Sequence, residues 1–214
     1  MCRRRRRVVA LAGGLVAAAS VACAASSSSR QPMRALFVGD SVAASLDYQP
    51  AVERTLARGF DMRFDLKVCR RLATRGCPFD GGTPSSAFDA VRADGSGACE
   101  VLIVDVGYND DPDTYGPQMA RVINAAKALG VKQIVWVTLR ETDDAYSRIN
   151  TAIRIEAGRF PIVQVADWNA FSAGKAWFRP DGLHLNDAGA IGLAALLRPY
   201  VVHAAAAASA SATS

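Results

Sequence analysis

The sequence predicts a three-layer α/β/α sandwich built on a parallel sheet. Two observations predict it. Short apolar runs alternate with stretches of helical periodicity from Met33 to Val201, and the most apolar run, Glu100 to Val106, is led by an uninterrupted Val101-Leu102-Ile103-Val104. Alternation of this kind places helices on both faces of a parallel sheet, and a continuous apolar run is what a strand buried on both faces looks like. The 214 residues leave room for one domain with a single core, and no internal repeat is present.

The elements follow in order. Arg34-Ala35-Leu36-Phe37-Val38 is a buried strand ending at Gly39, and Ala43 to Arg58 has helical spacing. Phe60 to Val68 is a second strand, with Phe60, Met62, Phe64 and Leu66 alternating. Arg70 to Gly97 is irregular and rich in Gly, Pro and Ser, with room for a short helix from Ser86 to Ala93. After the central strand come a helix from Tyr115 to Leu129 stopped by Gly130, a strand from Gln133 to Thr138, and a helix from Asp143 to Arg159. A last strand, Ile162 to Ala166, and a last helix, Ala188 to Val201 with Asn186-Asp187 as caps, complete the pattern. The domain is thus expected over residues 33–203, with an Ala/Ser/Thr tail over 204–214 expected to be disordered.

The start of the chain reads as an address. Arg3 to Arg7 are a basic cluster, Val8 to Val21 an apolar stretch rich in glycine and alanine, and Ala22-Cys23-Ala24 a cleavage pattern, so residues 1–24 are expected to be an export signal and 25–32 a polar linker. The Arg5-Arg6-Arg7-Val8-Val9 run loosely fits a twin-arginine signal. Alternatively, Val21-Ala22-Cys23 ends a lipobox, and lipidation of Cys23 would be the chain's one tie to a membrane. The expected location is secreted, periplasmic or attached to the cell envelope.

The signal also carries the net charge. The chain has 25 Lys+Arg against 20 Asp+Glu, and Arg3 to Arg7 supply the whole excess of +5. The remainder is balanced, which argues against a nucleic-acid partner. Of five cysteines, Cys2 and Cys23 fall in the signal, leaving Cys69, Cys77 and Cys99. Outside the cytosol a disulfide is expected, and a short bridge Cys69–Cys77 is favoured over a pairing with Cys99, which opens an apolar strand. With no C-x-x-C and two histidines, one of them (His203) opening the tail, neither a zinc site nor any other metal or cofactor is expected.

Three blocks carry chemistry: Gly39-Asp40-Ser41-Val42, Gly107-Tyr108-Asn109-Asp110 and Asp181-Gly182-Leu183-His184. They bring a hydroxyl nucleophile, an amide donor, and a carboxylate three residues before an imidazole. Each lies past a strand or in the last loop, and in a parallel sheet functional groups gather at the carboxyl ends of strands. Ser41 would attack, and its N–H, near the start of the next helix, would face a developing oxyanion. The Asn109 carboxamide would donate to the same oxyanion, and Gly107, with Tyr108 beside it, would let substrate approach. Asp181 would hold the His184 tautomer and stabilise the imidazolium. Each block also has a purely structural reading: Asp40 and Ser41 as a helix cap, Asn109 to Asp113 as capping residues, and Asp181 with His184 as a surface pair.

Together the blocks resemble those of the SGNH/GDSL hydrolases. The resemblance runs from Met33 to Val202, and its most specific stretch is Phe178-Arg179-Pro180-Asp181-Gly182-Leu183-His184-Leu185. It implies a flavodoxin-like α/β/α sandwich with Ser41 as nucleophile, His184 as general base, Asp181 as its orienting partner, and Asn109 with the Ser41 N–H as oxyanion hole. The family's second block supplies a further oxyanion N–H from a glycine. Here that loop reads Val68-Cys69-Arg70-Arg71-Leu72, so Cys69 takes the position, with Gly76 as another candidate. Exported SGNH domains related to those fused to acyltransferase-3 membrane proteins are similar around this loop. No Gly-x-Ser-x-Gly elbow occurs, which argues against an α/β-hydrolase.

The function expected from this reading is an exported, monomeric ester hydrolase that cleaves acyl esters, carbohydrate O-acyl esters among them, through an acyl-enzyme on Ser41. The competing readings are an O-acyltransferase with the same triad and a non-catalytic envelope carbohydrate-binding module. Trp168, Trp177 and Phe178 are candidates either to line the substrate site or to belong to the core.

Overall fold

A computed structural model describes residues 31–95 and 99–211. The expected export signal and nearly all of the expected linker lie outside the described residues. Five strands form one sheet: β1 (Met33–Gly39), β2 (Phe60–Leu66), β3 (Val101–Asp105), β4 (Gln133–Val137) and β5 (Val163–Ala166). Every pairing is parallel and the spatial order is β2-β1-β3-β4-β5. The chain therefore reverses its winding between β1 and β3, and a crevice opens at the carboxyl ends of these two strands.

Burial follows the sequence pattern. All five residues of β3 are buried, as are Ala35 to Gly39 of β1, whereas the edge strand β2 alternates. Six helices cover the sheet: α1 (Pro50–Ala57), α2 (Ala87–Asp94), α3 (Pro112–Ala128), α4 (Asp144–Arg159), α5 (Trp168–Ser172) and α6 (Asp187–Ser211). The α1 and α6 helices pack together, and α3 packs between α2 and α4.

Four elements differ from expectation, each for a local reason. The helix expected over 43–58 is a 3₁₀ helix, Ala43–Tyr48, followed by α1. Pro50 has no N–H to give and would cost a continuous helix one of its hydrogen bonds, whereas it suits the first position of a new one, where it stands. The α3 helix begins at Pro112 rather than Tyr115, because the Asp111 side chain accepts from the Asp113 N–H and caps it there. The one-turn α5, capped by Asp167, was not anticipated.

The last difference is a correction: residues 204–211 are not a disordered tail but the end of α6, and Ala204 is buried in the core. Alanine has the highest helix propensity of any residue, so an alanine-rich extension of a docked helix stays helical. Long and apolar enough to cross a membrane by length and composition, α6 nevertheless packs Leu193, Leu197 and Val201 into the core.

At the end of β1 the chain turns under tight contact. A Cβ on Gly39 would lie 2.3 Å from the Ala43 Cβ and 2.8 Å from Leu66 Cδ2. The absence of a side chain here lets the 3₁₀ helix fold back onto β1 and β2. Gly39→Ala is expected to cost about 1–3 kcal/mol of stability, the usual penalty of overpacking, in urea denaturation. A variant as stable as the wild type would show that this turn relaxes freely.

Candidate active site

The loop after β1 is organised by one buried carboxylate. Asp40 is fully buried; its Oδ1 accepts from the Val42 N–H at 3.0 Å, and its Oδ2 accepts from the Gly107 N–H at 3.0 Å and the Tyr108 N–H at 3.1 Å. The Asp40 N–H donates to the Asp105 carbonyl at 2.9 Å. Asp40 therefore caps the turn that follows it and ties that turn to the loop after β3. Burial raises its pKa to about 6 against the pull of the three N–H donors. The neighbouring Asp105 side chain is buried with neither oxygen hydrogen-bonded, and burial beside Asp40 pushes its pKa well up.

Ser41 does not cap the helix. Its Oγ lies 3.0 Å from His184 Nε2, and His184 Nδ1 lies 2.8 Å from Asp181 Oδ2. A carboxylate on Nδ1 keeps the proton there, which leaves the Nε2 lone pair to accept the Ser41 hydroxyl. The other Asp181 oxygen accepts from the Leu183 N–H at 2.9 Å and the His184 N–H at 3.0 Å. These bonds, with the Leu183 N–H the strongest influence and the imidazole next, hold the Asp181 carboxyl down at about 2.

The Asp181–His184 segment is a small hairpin. Phe178 bridges Leu185, the Arg179 N–H donates to the His184 carbonyl at 2.7 Å, and Gly182 turns the chain at φ +71°. Arg140, just past β4, clamps it: its guanidinium donates to the Gly182 carbonyl and lies 3.7 Å from the centre of the Phe178 ring. The aromatic candidates lie behind this hairpin. Trp168 is fully buried and stacks on Trp177 at 5.8 Å, and the Trp177 indole rests where Gly192 leaves space on α6. Their role is to anchor the loop from the core side.

The second loop carries the departure noted in the sequence. Cys69 is bonded to Cys77, and its φ of +64° lies in the left-handed region that favours glycine. Cys99 is the buried free thiol, its pKa pushed up to about 11 by burial. The Cys77 N–H donates to the Cys69 carbonyl at 3.1 Å, so the bridge and this bond close the same loop. Gly76 packs against the Cys69 carbonyl and gives its own N–H to Pro84 at 3.3 Å, which makes Cys69 the better donor candidate. Arg70 follows fully buried, giving its guanidinium to the carbonyls of Ser85 and Asp65 and to the Asp65 carboxylate. Asn109 donates to the Arg70 carbonyl at 3.1 Å, which uses one of its two amide hydrogens. Among the described residues neither the Ser41 nor the Cys69 N–H donates a hydrogen bond.

Two expected site residues are corrected. Gly107 and Tyr108 face the core rather than substrate. A Cβ on Gly107 would lie 2.9 Å from Leu139 and 3.3 Å from Tyr115, and the buried Tyr108 hydroxyl accepts from the Arg140 N–H at 2.7 Å. Conversely, Tyr48, Arg70, Arg140 and Arg179 take part in or support the site without having been singled out; Arg179 stands inside the stretch that carries the family resemblance. Together Ser41, Ser45, Tyr48, Val68, Arg179 and His184 border an open cleft of about 190 Å³. No group of three or more His, Cys, Asp or Glu side chains among the described residues is placed to hold a metal ion.

Solved structures share this architecture. A proposed arylesterase from Agrobacterium tumefaciens strain C58 superposes with a TM-score of 0.65 at 14% identity, over 80% of this chain and 99% of that one. The family 3 carbohydrate esterase of Clostridium thermocellum gives 0.56 at 15% identity, covering 80% and 96%, and the psychrotrophic esterase EstA of a Pseudoalteromonas species gives 0.52 at 14%, covering 75% and 91%. The fold is the one these esterases share, a parallel sheet covered by helices on both faces. No protein-family model matches the sequence, and no curated protein matches it.

Asp110 provides a pH test of this region. Both its carboxylate oxygens accept from the Leu72 N–H at 3.0 Å, joining the loops after β2 and β3, and burial raises its pKa from 3.8 to about 6. Between those values the folded protein keeps a proton the unfolded chain has released, so stability falls as pH rises through the window, and Asp40 acts in the same direction. Asp110→Asn keeps an acceptor for Leu72 without titrating. It is expected to lose on the order of 1–3 kcal/mol less stability than wild type between pH 4 and 7. Urea denaturation at both pH values measures this, and equal losses would refute it.

Proposed function

We propose that this chain is an SGNH/GDSL-type carboxylic ester hydrolase that works through an acyl-enzyme on Ser41. The observation that carries the reading is the unbroken hydrogen-bonded chain from Asp181 through His184 to Ser41, at 2.8 and 3.0 Å, at the carboxyl edge of a fold shared with esterases. His184 Nε2 takes the hydroxyl proton as Ser41 Oγ bonds to the ester carbonyl carbon, and the carbonyl electron pair moves onto its oxygen. The N–H groups of Ser41 and Cys69 and the second Asn109 amide hydrogen receive that charge. As the carbon–oxygen bond to the alcohol breaks, Nε2 returns the proton to the departing oxygen. Water then attacks the acyl-serine by the same route in reverse, freeing the acid. Asp181, held ionised by its hydrogen bonds, stays charged throughout.

Hydrolysis is favoured over acyl transfer by the shape of the site. The His184 side chain is 36% exposed in an open cleft, so water reaches the position from which an acceptor must attack. We assign the chain to an exported protein on the strength of its first residues and of a disulfide, a bond that persists in oxidising compartments. Its balanced charge beyond the signal gives nucleic acid no footing. Carbohydrate O-acyl esters are the substrate class we favour, since an open, shallow site suits an ester displayed on a larger polar molecule.

Purified residues 30–203 extended to the end of α6 should hydrolyse a short-chain activated ester. Ser41→Ala should lower kcat by about 10⁴-fold or more, as triad removal does; equal rates would sink the nucleophile assignment. Asn109→Ala should lower kcat by about 10²- to 10³-fold with little change in KM, the cost of losing one oxyanion donor. Steady-state kinetics beside a melting curve separates that result from simple destabilisation, in which the variant would melt earlier but keep its activity.

A further inference from the structure

We propose that Tyr48 is the platform for the leaving alcohol of the ester, and that this alcohol carries a ring. The inference rests on the hydrolase reading above. Chemistry decides which side of the site the alcohol occupies. Nε2 of His184 must hand its proton to the alcohol oxygen, so that oxygen lies beside the imidazole while the carbonyl oxygen faces the donors of Ser41, Cys69 and Asn109. The cleft that borders the imidazole is the one that Tyr48 shares with Ser41, Arg179 and His184.

Tyr48 behaves there as no packing residue does. It is 73% exposed, more than any other large hydrophobic residue among those described, whereas Tyr108 and Tyr115 are buried with their hydroxyls bonded. Its ring is tied to the catalytic loop: the Arg179 guanidinium lies 5.8 Å from the ring centre, and the Arg179 N–H holds the His184 carbonyl. The hairpin that aims the imidazole thus also steadies an open aromatic surface beside it.

The size of the cleft points to how the alcohol is held. At about 190 Å³ it is smaller than pockets that enclose a ligand, which run to roughly 300–1,000 Å³, so it contacts one side of its guest. An aromatic face in that position selects a flat partner, either the C–H face of a pyranose or an aryl ring. A simple alkyl alcohol offers no such face.

The test compares three acetate esters: ethyl acetate, phenyl acetate and an acetylated methyl xyloside. In Tyr48→Ala, kcat/KM for at least one ring-bearing ester should fall about tenfold or more relative to ethyl acetate, mainly through KM. Tyr48→Trp should restore it, and the ester that responds tells pyranose from aryl. Ile155→Ala, an exposed apolar residue on α4, should leave the ratios unchanged. Ratios within about twofold of wild type for both ring esters in Tyr48→Ala overturn the proposal. If Ser41→Ala matches wild type on all three esters, the hydrolase reading fails instead. The platform is then judged by saturation-transfer NMR with methyl xyloside and phenol, and binding that does not depend on Tyr48 overturns it.

Discussion

The Asp40 carboxylate is the interaction on which the rest of the site depends. It reaches three backbone N–H groups on two loops that are remote in sequence, Val42 on its own turn and Gly107 and Tyr108 after β3. A buried carboxylate left unpaired would cost several kcal/mol, so these loops are driven to converge on it. Their convergence ties the turn that carries Ser41 to the loop that carries Asn109. Asp105, buried beside it with neither oxygen hydrogen-bonded, has its pKa pushed well up by that burial, which favours its neutral form.

Around this clasp two further devices act on the remaining loops. Arg70, buried whole, spreads its donors over carbonyls of the β2 end and the Ser85 segment, and so holds the turn in which Cys69 adopts its left-handed conformation. The disulfide to Cys77 closes that turn from the other side. An ordinary residue thus occupies a position that favours glycine because covalent and ionic restraints offset its backbone strain. Arg140 does the corresponding work for the histidine hairpin, through the Gly182 carbonyl and the Phe178 ring.

The candidate site is packed from behind and open in front. Trp168, Trp177 and the small residues of α6 fix the hairpin from behind, while Tyr48 and Arg179 stand in solvent at the front. This division fits the proposed hydrolase, which would position three side chains closely while accepting an ester larger than the cleft.

The sequence by itself determined the sheet, the order of its elements, and three residues that the structure joins in one hydrogen-bonded chain: Ser41, Asp181 and His184. These were legible because their signals are local. Apolar runs set strands, and the Asp181–His184 pair is built within one short turn by backbone N–H groups three residues apart or fewer. The preference for Cys69–Cys77 also rested on nearness along the chain. What tertiary structure decided is where a residue faces. Gly107 reads as room for substrate until Leu139, arriving after β4, fills that room from the core side. Tyr108 is buried with its hydroxyl bonded to the Arg140 N–H, and Tyr48 is exposed with the Arg179 guanidinium 5.8 Å from its ring centre. The alanine-rich end of α6 reads as tail until α6 docks and continues its helix through it. For Gly107, Tyr108 and Tyr48 the partner lies tens of residues away in sequence, and only packing brings it into contact.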